Sequence, residues 1–309
     1  MWVDKRPSWA KTVLLGGFAL PEIWGRTLFV TGLSSLVTIA YETVPQLRYS
    51  LTATPFALIG LPLGIFLGFR NNAAYDRFWE GRKLWGALVN TARTLARQIQ
   101  TLVVAPAAEA EEARAFRLDF IHFEIAYFHA LRHHLRDNKP WDSLSHVLPA
   151  EQVEPLRTHD NIPIFMIEEM ARKLLVAREK GWVNPLHVNT FEISFTALCD
   201  LQGGCERIKL TPIPYSYTVL LHRIVAFFCL LLPFGLCDSI RYATPLVVLA
   251  VSYCFFGLDA VGDELEQPFG LDVNDLPLKA ICRTIERNLR ESLGEQLPPA
   301  VQPKKGVLT

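Results

Sequence analysis

Polarity along this chain alternates between long apolar runs and strongly amphipathic stretches. Residues 49–69, YSLTATPFALIGLPLGIFLGF, form a run of 21 without a charge that ends abruptly at Arg70-Asn71-Asn72. A helix of that length crosses a hydrocarbon core. Gly60, Gly64 and Gly68 recur at every fourth position, and Leu61, Ile65 and Phe69 recur beside them. At about 100° per residue these are two adjacent helical stripes. The glycine stripe predicts a helix-packing surface, because it lets another helix approach closely in lipid. Ile59, Leu63, Phe66 and Leu67 take the opposite side, facing lipid or other helices. Pattern alone favours an ordinary spanning helix. A sharper reading makes Leu61, Ile65 and Phe69 the apolar wall of a pore.

The rest of the chain supplies partners for that helix. An earlier span is expected from Ile23 to Val44, with 15 uncharged residues between Arg26 and Glu42. Pro45-Gln46-Leu47-Arg48 turns it into the opening run, making a membrane hairpin. Past Phe69 the helix continues but changes character: Trp85, Leu88, Ala92, Leu95 and Ile99 recur at three- and four-residue steps among arginines and lysines. A break follows at Ala105-Pro106. Further helices are predicted over 113–135, 164–179 and 188–208, with short pieces between Pro140 and Pro163. A second hairpin reads from Pro214 to Cys237 and from Tyr242 to Leu258, joined by Asp238–Arg241. The tail is first acidic, then helical at LKAICRTIERNLRESL, then proline-rich without expected order.

These readings divide the chain into an N-terminal amphipathic segment (1–22), a first transmembrane hairpin (23–69), a large helical domain (70–213), a second hairpin (214–258) and a C-terminal segment and tail (259–309). The predicted fold class is an all-α membrane protein with four transmembrane helices. Four spans put both termini on one side. The two short connections carry one basic residue each, Arg48 and Arg241, so the positive-inside rule places the domain, tail and termini in the cytoplasm. The expected location is the inner (plasma) membrane, multi-pass.

Composition narrows the function. Half of the 309 residues are hydrophobic, although 20% are charged, which suits membrane segments joined to a polar body. Formal net charge is zero, which gives no electrostatic basis for a nucleic-acid partner. The six cysteines include no CxxC pair and read as reduced, mostly buried thiols. The N-terminus reads as a retained segment rather than a signal peptide, since its apolar patch is short and lacks a convincing cleavage site.

Candidate chemistry is sparse. His122, His129, His133 and His134 share one predicted helix, and His129 and His133 stand one turn apart. Zinc would need a third ligand, and there is no HExxH, so hydrated or hydrogen-bonded surface histidines are the simpler expectation. Arg223 interrupts an apolar run and is expected to pair with a carboxylate or a headgroup near the membrane boundary. Glu264, Glu266, Asp272 and Asp275 offer oxygen ligands without EF-hand spacing. No Ser-His-Asp set or catalytic carboxylate pair can be assembled. The chain is not expected to be an enzyme or to require a cofactor.

GFRNNAAYDRFWEGRKLWG, residues 68–86, resembles the bestrophin family, in particular its shorter bacterial members. Arg77-Phe78-Trp79-Glu80 is the most specific part of the match. EQPFGLDVNDLP, residues 266–277, is similar to the acidic segment that follows the family's last membrane helix. The resemblance covers roughly residues 20–290. It implies a homopentameric ion channel with one central pore, whose second membrane helix lines a narrow neck. The family's three apolar neck rings map onto Leu61, Ile65 and Phe69. A second, cytosolic constriction maps onto Leu186, within Asn184-Pro185-Leu186. Asp272 and Asp275 match positions of the calcium clasp of animal members, but apolar and amide residues replace several carboxylates, which argues against calcium gating. Animal members resemble chloride channels, while bacterial ones favour monovalent cations such as sodium, and this chain resembles the bacterial ones. The partners implied are monovalent ions, the lipid bilayer and further copies of the chain. A membrane-anchored scaffold without conductance, or an enzyme built on the histidine helix, are the competing readings.

Overall fold

The absence of charge between Arg48 and Arg70, followed by an amphipathic repeat, has a simple structural outcome: one helix runs unbroken from Ala53 to Leu102. This computed structural model describes Met1 and residues 20–48, 50–303 and 306–308, the side chains of 20–22 and 47 excepted. The amphipathic segment expected at the N-terminus and Tyr49 therefore lie outside the described residues. Among the described residues there are ten α-helices: α1 (Leu20–Thr43), α2 (Ala53–Leu102), α3 (Ala110–Leu135), α4 (Trp141–Ser145), α5 (Ala150–Val153), α6 (Ile162–Glu179), α7 (Val188–Leu210), α8 (Tyr215–Ile240), α9 (Thr244–Glu266) and α10 (Leu278–Ser292). No strand is formed among them; Val103 and Val183 make an isolated antiparallel bridge.

Among the described residues, three stretches are long and apolar enough to cross a membrane: Ile23–Thr43, Ala53–Leu102 and Tyr215–Glu266. The third is interrupted by a tight turn at Arg241–Ala243, where Arg241 takes a positive φ of 47° and α8 ends. Its two halves, α8 and α9, pack against each other and against α1.

The chain separates into two compact units, and α2 contributes to both, with the division between Phe78 and Trp79. The first unit holds α1, the start of α2, α8 and α9. Ile23, Val30, Leu63, Leu67, Leu221, Val225, Phe228 and Phe256 form its apolar core. The chain entering α2 is anchored there by the Leu51 N–H, which donates to the Phe234 carbonyl at 2.9 Å. Hydroxyl side chains on α1 need partners where water is scarce. Thr31, Ser35, Thr38 and Thr43 each donate to the carbonyl four residues back, at 2.7–3.0 Å. This local bond lets a polar residue ride on an apolar helix.

The second unit, Trp79–Thr211 with Phe269–Thr309, is built around α3. That helix is buried almost all round from Phe120 to Arg132, as expected of a central helix. It packs against α6, α10 and α7. Trp85, Leu88, Ala92, Leu95 and Ile99 of α2 are completely buried, as their spacing predicts. Each of the leucines and Ile99 contributes about 1.5–3 kcal/mol by leaving water. Leu278, Cys282, Ile285 and Leu289 form the corresponding buried stripe of α10. One element of this core is discordant. Glu124 is fully buried, and neither carboxylate oxygen has a hydrogen-bond partner. Burial pushes its carboxyl well above the usual carboxylate range, which favours the neutral acid. All six cysteines are free, and burial pushes the Cys205 and Cys282 thiols up to about 12.

Candidate pore helix and its charged base

Between Leu58 and Phe69, one face of α2 is apolar and exposed among the described residues. Leu61, Ile65 and Phe69 are 71%, 50% and 62% exposed. They stand one turn apart, so their side chains make a continuous ridge. Leu58, Ile59 and Phe66 are exposed as well, whereas Leu63 and Leu67 turn inward to the core. The face opposite the ridge is therefore divided, with two leucines inside and the others outside. Along the glycine stripe, a Cβ at Gly60 would come to 3.2 Å from the Phe228 ring, so α8 approaches closely there. A Cβ at Gly64 or Gly68 would meet nothing within 4 Å.

Immediately after Phe69 the chemistry inverts. Arg70 is buried, and its guanidinium is surrounded by carboxylates from α9. Nη1 donates to Asp259 Oδ1 at 2.9 Å and to the Asp259 carbonyl at 3.3 Å. Nη2 donates to Asp263 Oδ1 and lies 3.9 Å from Glu266 Oε2. Asp259, Asp263 and Glu266 follow four- and three-residue steps, so one face of α9 presents all three. The second Asp259 oxygen meets His222 Nδ1 of α8 at 2.7 Å, and His222 Nε2 is 3.6 Å from Asp263. Glu266 also accepts the Ile213 N–H at 3.0 Å.

A glycine makes this packing possible. A Cβ at Gly262 would stand 2.5 Å from Asn71 Oδ1 and 3.3 Å from Arg70 Nη1. Among the described residues, His222, Asp259 and Asp263 form the set of three donors close enough to share a metal ion. Arg70 already donates to both carboxylates, so the geometry is that of an ion-pair network, buried at Arg70 and Asp259 and open to the surface at Asp263. Three carboxylates around one guanidinium and one imidazole leave the cluster acidic.

The remaining sequence-derived positions are scattered over other tasks. Arg77 Nε donates to the carbonyl of Glu266, the last residue of α9, at 3.1 Å. Phe78 is half-buried, Trp79 is exposed, and Glu80 pairs with Arg207 of α7. Leu186 is 84% exposed on a short helical turn, Pro185–His187, whose start is capped by Asn184 Oδ1 accepting the Leu186 N–H at 3.0 Å. Asp275 is buried, and its Oδ2 accepts the Asp272 N–H at 2.6 Å, closing the loop on itself. Glu266, expected beside these two as an oxygen ligand, instead belongs to the Arg70 cluster.

The histidines of α3 follow the hydrogen-bonded expectation with one exception: His122 pairs with Glu295, His134 with Glu206 and His133 with Asn138 and Ser143, all at partly exposed positions, whereas His129 is buried beside Glu286 rather than at the surface. Burial holds His129 below the ordinary histidine range, against the pull of Glu286. Arg223, expected to pair with a carboxylate or a headgroup, makes no ion pair with a carboxylate among the described residues; its neighbour His222 meets the carboxylates, and the headgroup is the partner left to Arg223. Sequence reading missed the Arg70 cluster. Its available signal was the presence of charges at the ends of two apolar runs, with helical spacing in the second.

Residues 1–291 match the family model described as Bacterial/Fungal Bestrophin protein. A relative from Ralstonia nicotianae, named a voltage-dependent anion channel-forming protein, is 40% identical over 279 residues, spanning 90% of each chain. The protein named voltage-dependent anion channel-forming protein YneE in Escherichia coli K12 is 34% identical over 307 residues, 99% of this chain and 98% of its own. Among solved structures, a bacterial Bestrophin homolog from Klebsiella pneumoniae superposes with a TM-score of 0.82 at 37% identity, covering 89% of this chain and 99% of that one.

Proposed function

The chain belongs to the bacterial and fungal bestrophin family, and from that premise we propose that it is a membrane ion channel. Five copies surround one pore, each crossing the inner membrane four times with both termini in the cytoplasm. The supporting observation is the exposed apolar ridge Leu61–Ile65–Phe69 on a helix of membrane length. Five such ridges around an axis make a neck of three apolar rings, which gates by dewetting. Gly64 and Gly68, open within one chain, supply the close approach that neighbouring copies of α2 require. Leu186 forms a second constriction in the cytoplasmic part, consistent with its exposure.

An uncharged neck has no means of choosing ion sign. The base of the helix has one: the acidic cluster of Asp259, Asp263 and Glu266 around Arg70 raises the local concentration of cations. We therefore favour conduction of monovalent cations such as sodium. The names of the relatives favour anions instead. A bilayer recording of the purified protein across a sodium chloride gradient decides between them. Reversal near the sodium equilibrium potential supports the cation reading, reversal near that of chloride supports the anion reading, and absence of current refutes the channel. In liposomes, Ile65→Ala should increase flux by widening the middle ring. Unchanged flux in a well-folded variant would remove Ile65 as the barrier.

A further inference from the structure

The polar unit contains a cleft of about 720 Å³ that none of the conduction residues touches. One wall is α10, where Lys279, Arg283, Glu286 and Arg290 follow four-, three- and four-residue steps and so form one stripe beside the buried apolar one. Glu286 pairs with Arg283 and with Arg290, each at 3.1 Å, and thereby fixes both guanidinium groups at the cleft. The opposite wall is α3 and the segment after it. There Arg132 is only 7% exposed, yet it has no carboxylate within ion-pair distance among the described residues. Its Nη2 is engaged by neutral groups, Ser143 Oγ at 3.0 Å and His133 Nε2 at 2.7 Å. His129, also buried, lines the same cleft with its Nδ1 unpartnered.

Burying a guanidinium without a counter-ion is costly, and a nearby buried imidazole nitrogen without a partner adds to the cost. Both costs fall if the cleft holds an anion. Four cationic side chains line it, Arg132, Lys279, Arg283 and Arg290, against the carboxylates of Asp142 and Glu286 and that of Glu295, which pairs with Arg290 at 2.8 Å from outside the lining. Guanidinium forks match the tetrahedral oxygens of phosphate in geometry and charge. The third wall is the chain around Pro298, held in place by Arg287 donating to the Pro298 carbonyl. None of the lining residues belongs to a stretch apolar enough to cross a membrane.

We propose that this cleft is a binding site for a small, soluble, multiply charged phosphate compound. Binding requires neither the pore nor conduction, so the test stands apart from the channel reading. The full-length protein, purified in detergent, is titrated calorimetrically with sodium pyrophosphate at constant ionic strength. Saturable binding is expected. Lys279→Gln with Arg283→Gln should weaken it by at least about tenfold, since each removes a charge-assisted hydrogen bond, while Arg114→Gln, an exposed site away from the cleft, should not. Lys279→Gln alone, at an exposed position, should weaken binding by about threefold and serves if the double variant does not fold. No saturable binding up to millimolar pyrophosphate, or equal affinity in all variants, overturns the proposal. Nanodiscs with and without anionic phospholipid separate the two sources of phosphate. Equal pyrophosphate affinity supports a soluble ligand, and displacement by the anionic lipid overturns it in favour of a headgroup.

Discussion

The Arg70 cluster permits a quantitative test, because its central pair, Arg70 and Asp259, is buried and joins residues 189 apart in sequence. Asp259→Leu would leave the Arg70 guanidinium inside the protein with its 2.9 Å partner gone. Removing one side of a buried pair costs about 3–5 kcal/mol. Asp263 and Glu266 remain near Nη2, so the lower end, about 3 kcal/mol, is expected. At about 2–4 °C per kcal/mol for a unit of this size, the melting temperature should fall by roughly 6–12 °C. Arg70→Met should cost a similar amount, because it leaves Asp259 and Asp263 facing each other with His222 alone between them. The double variant removes both ions of the central pair, leaving His222 against Asp263. Its loss should be smaller than the sum of the single losses by about 1–3 kcal/mol, the usual coupling of residues in contact. Thermal unfolding of the four proteins in one detergent, followed by intrinsic fluorescence, measures this cycle. Additivity within about 0.5 kcal/mol would mean that the two groups do not act as a pair, and the account of the cluster would be wrong.

Other perturbations probe separate parts of the molecule. Gly262→Ala places a Cβ 2.5 Å from Asn71 Oδ1 and should destabilise the protein by about 1–3 kcal/mol, seen as a lower melting temperature; an unchanged value would show that α2 and α9 can separate freely there. Glu124→Gln addresses a carboxyl whose folded-state pKa is raised, so the folded protein holds its proton longer than the unfolded one and stability is lost as pH rises above about 4.5. The variant should therefore match the parent near pH 4 and exceed it in melting temperature at pH 7–8, and a gain independent of pH would exclude ionisation as the cause. Calcium chelation should leave bilayer currents unchanged, because Asp275 spends a carboxylate oxygen on its own loop; currents that vanish with chelator and return with calcium would contradict this.

Periodicity made the helices legible because it reports local physics. The stripe from Trp85 to Ile99 is fully buried, and the continuation of one helix past Phe69 follows from an unbroken 3.6-residue pattern across a change in polarity. The same pattern could not say which face of the Ala53–Phe69 segment meets the core, since nearly every position there is apolar. Leu63 and Leu67 go inside while Ile59 and Phe66 stay out, a choice made by α8 and α9 rather than by the segment itself. Charge pairing was hidden for a related reason. Arg70 and Asp259 each sit at the edge of an apolar run, where a charged residue ordinarily signals the water boundary, and His222 interrupts another such run. Only the fold of α8 back along α9 brings the three together.

The position of the cluster bears on the candidate pore. Arg70 follows Phe69 directly and lies on the buried side of α2, while Phe69 points outward. A rotation of α2 about its axis large enough to withdraw Phe69 from the ridge would also swing Arg70, at about 100° from it, out of reach of Asp259 and Asp263. The ion pairs therefore oppose that rotation. Opening that leaves the cluster intact must come from changes in side-chain rotamer or in distance between copies of α2. If α2 instead turns as a rigid rod, weakening the pair with Asp259→Asn should alter the current through the neck. A variant that folds normally but conducts as the parent does would exclude rotation of α2 and leave the ridge side chains or the spacing between copies of α2 as the moving part.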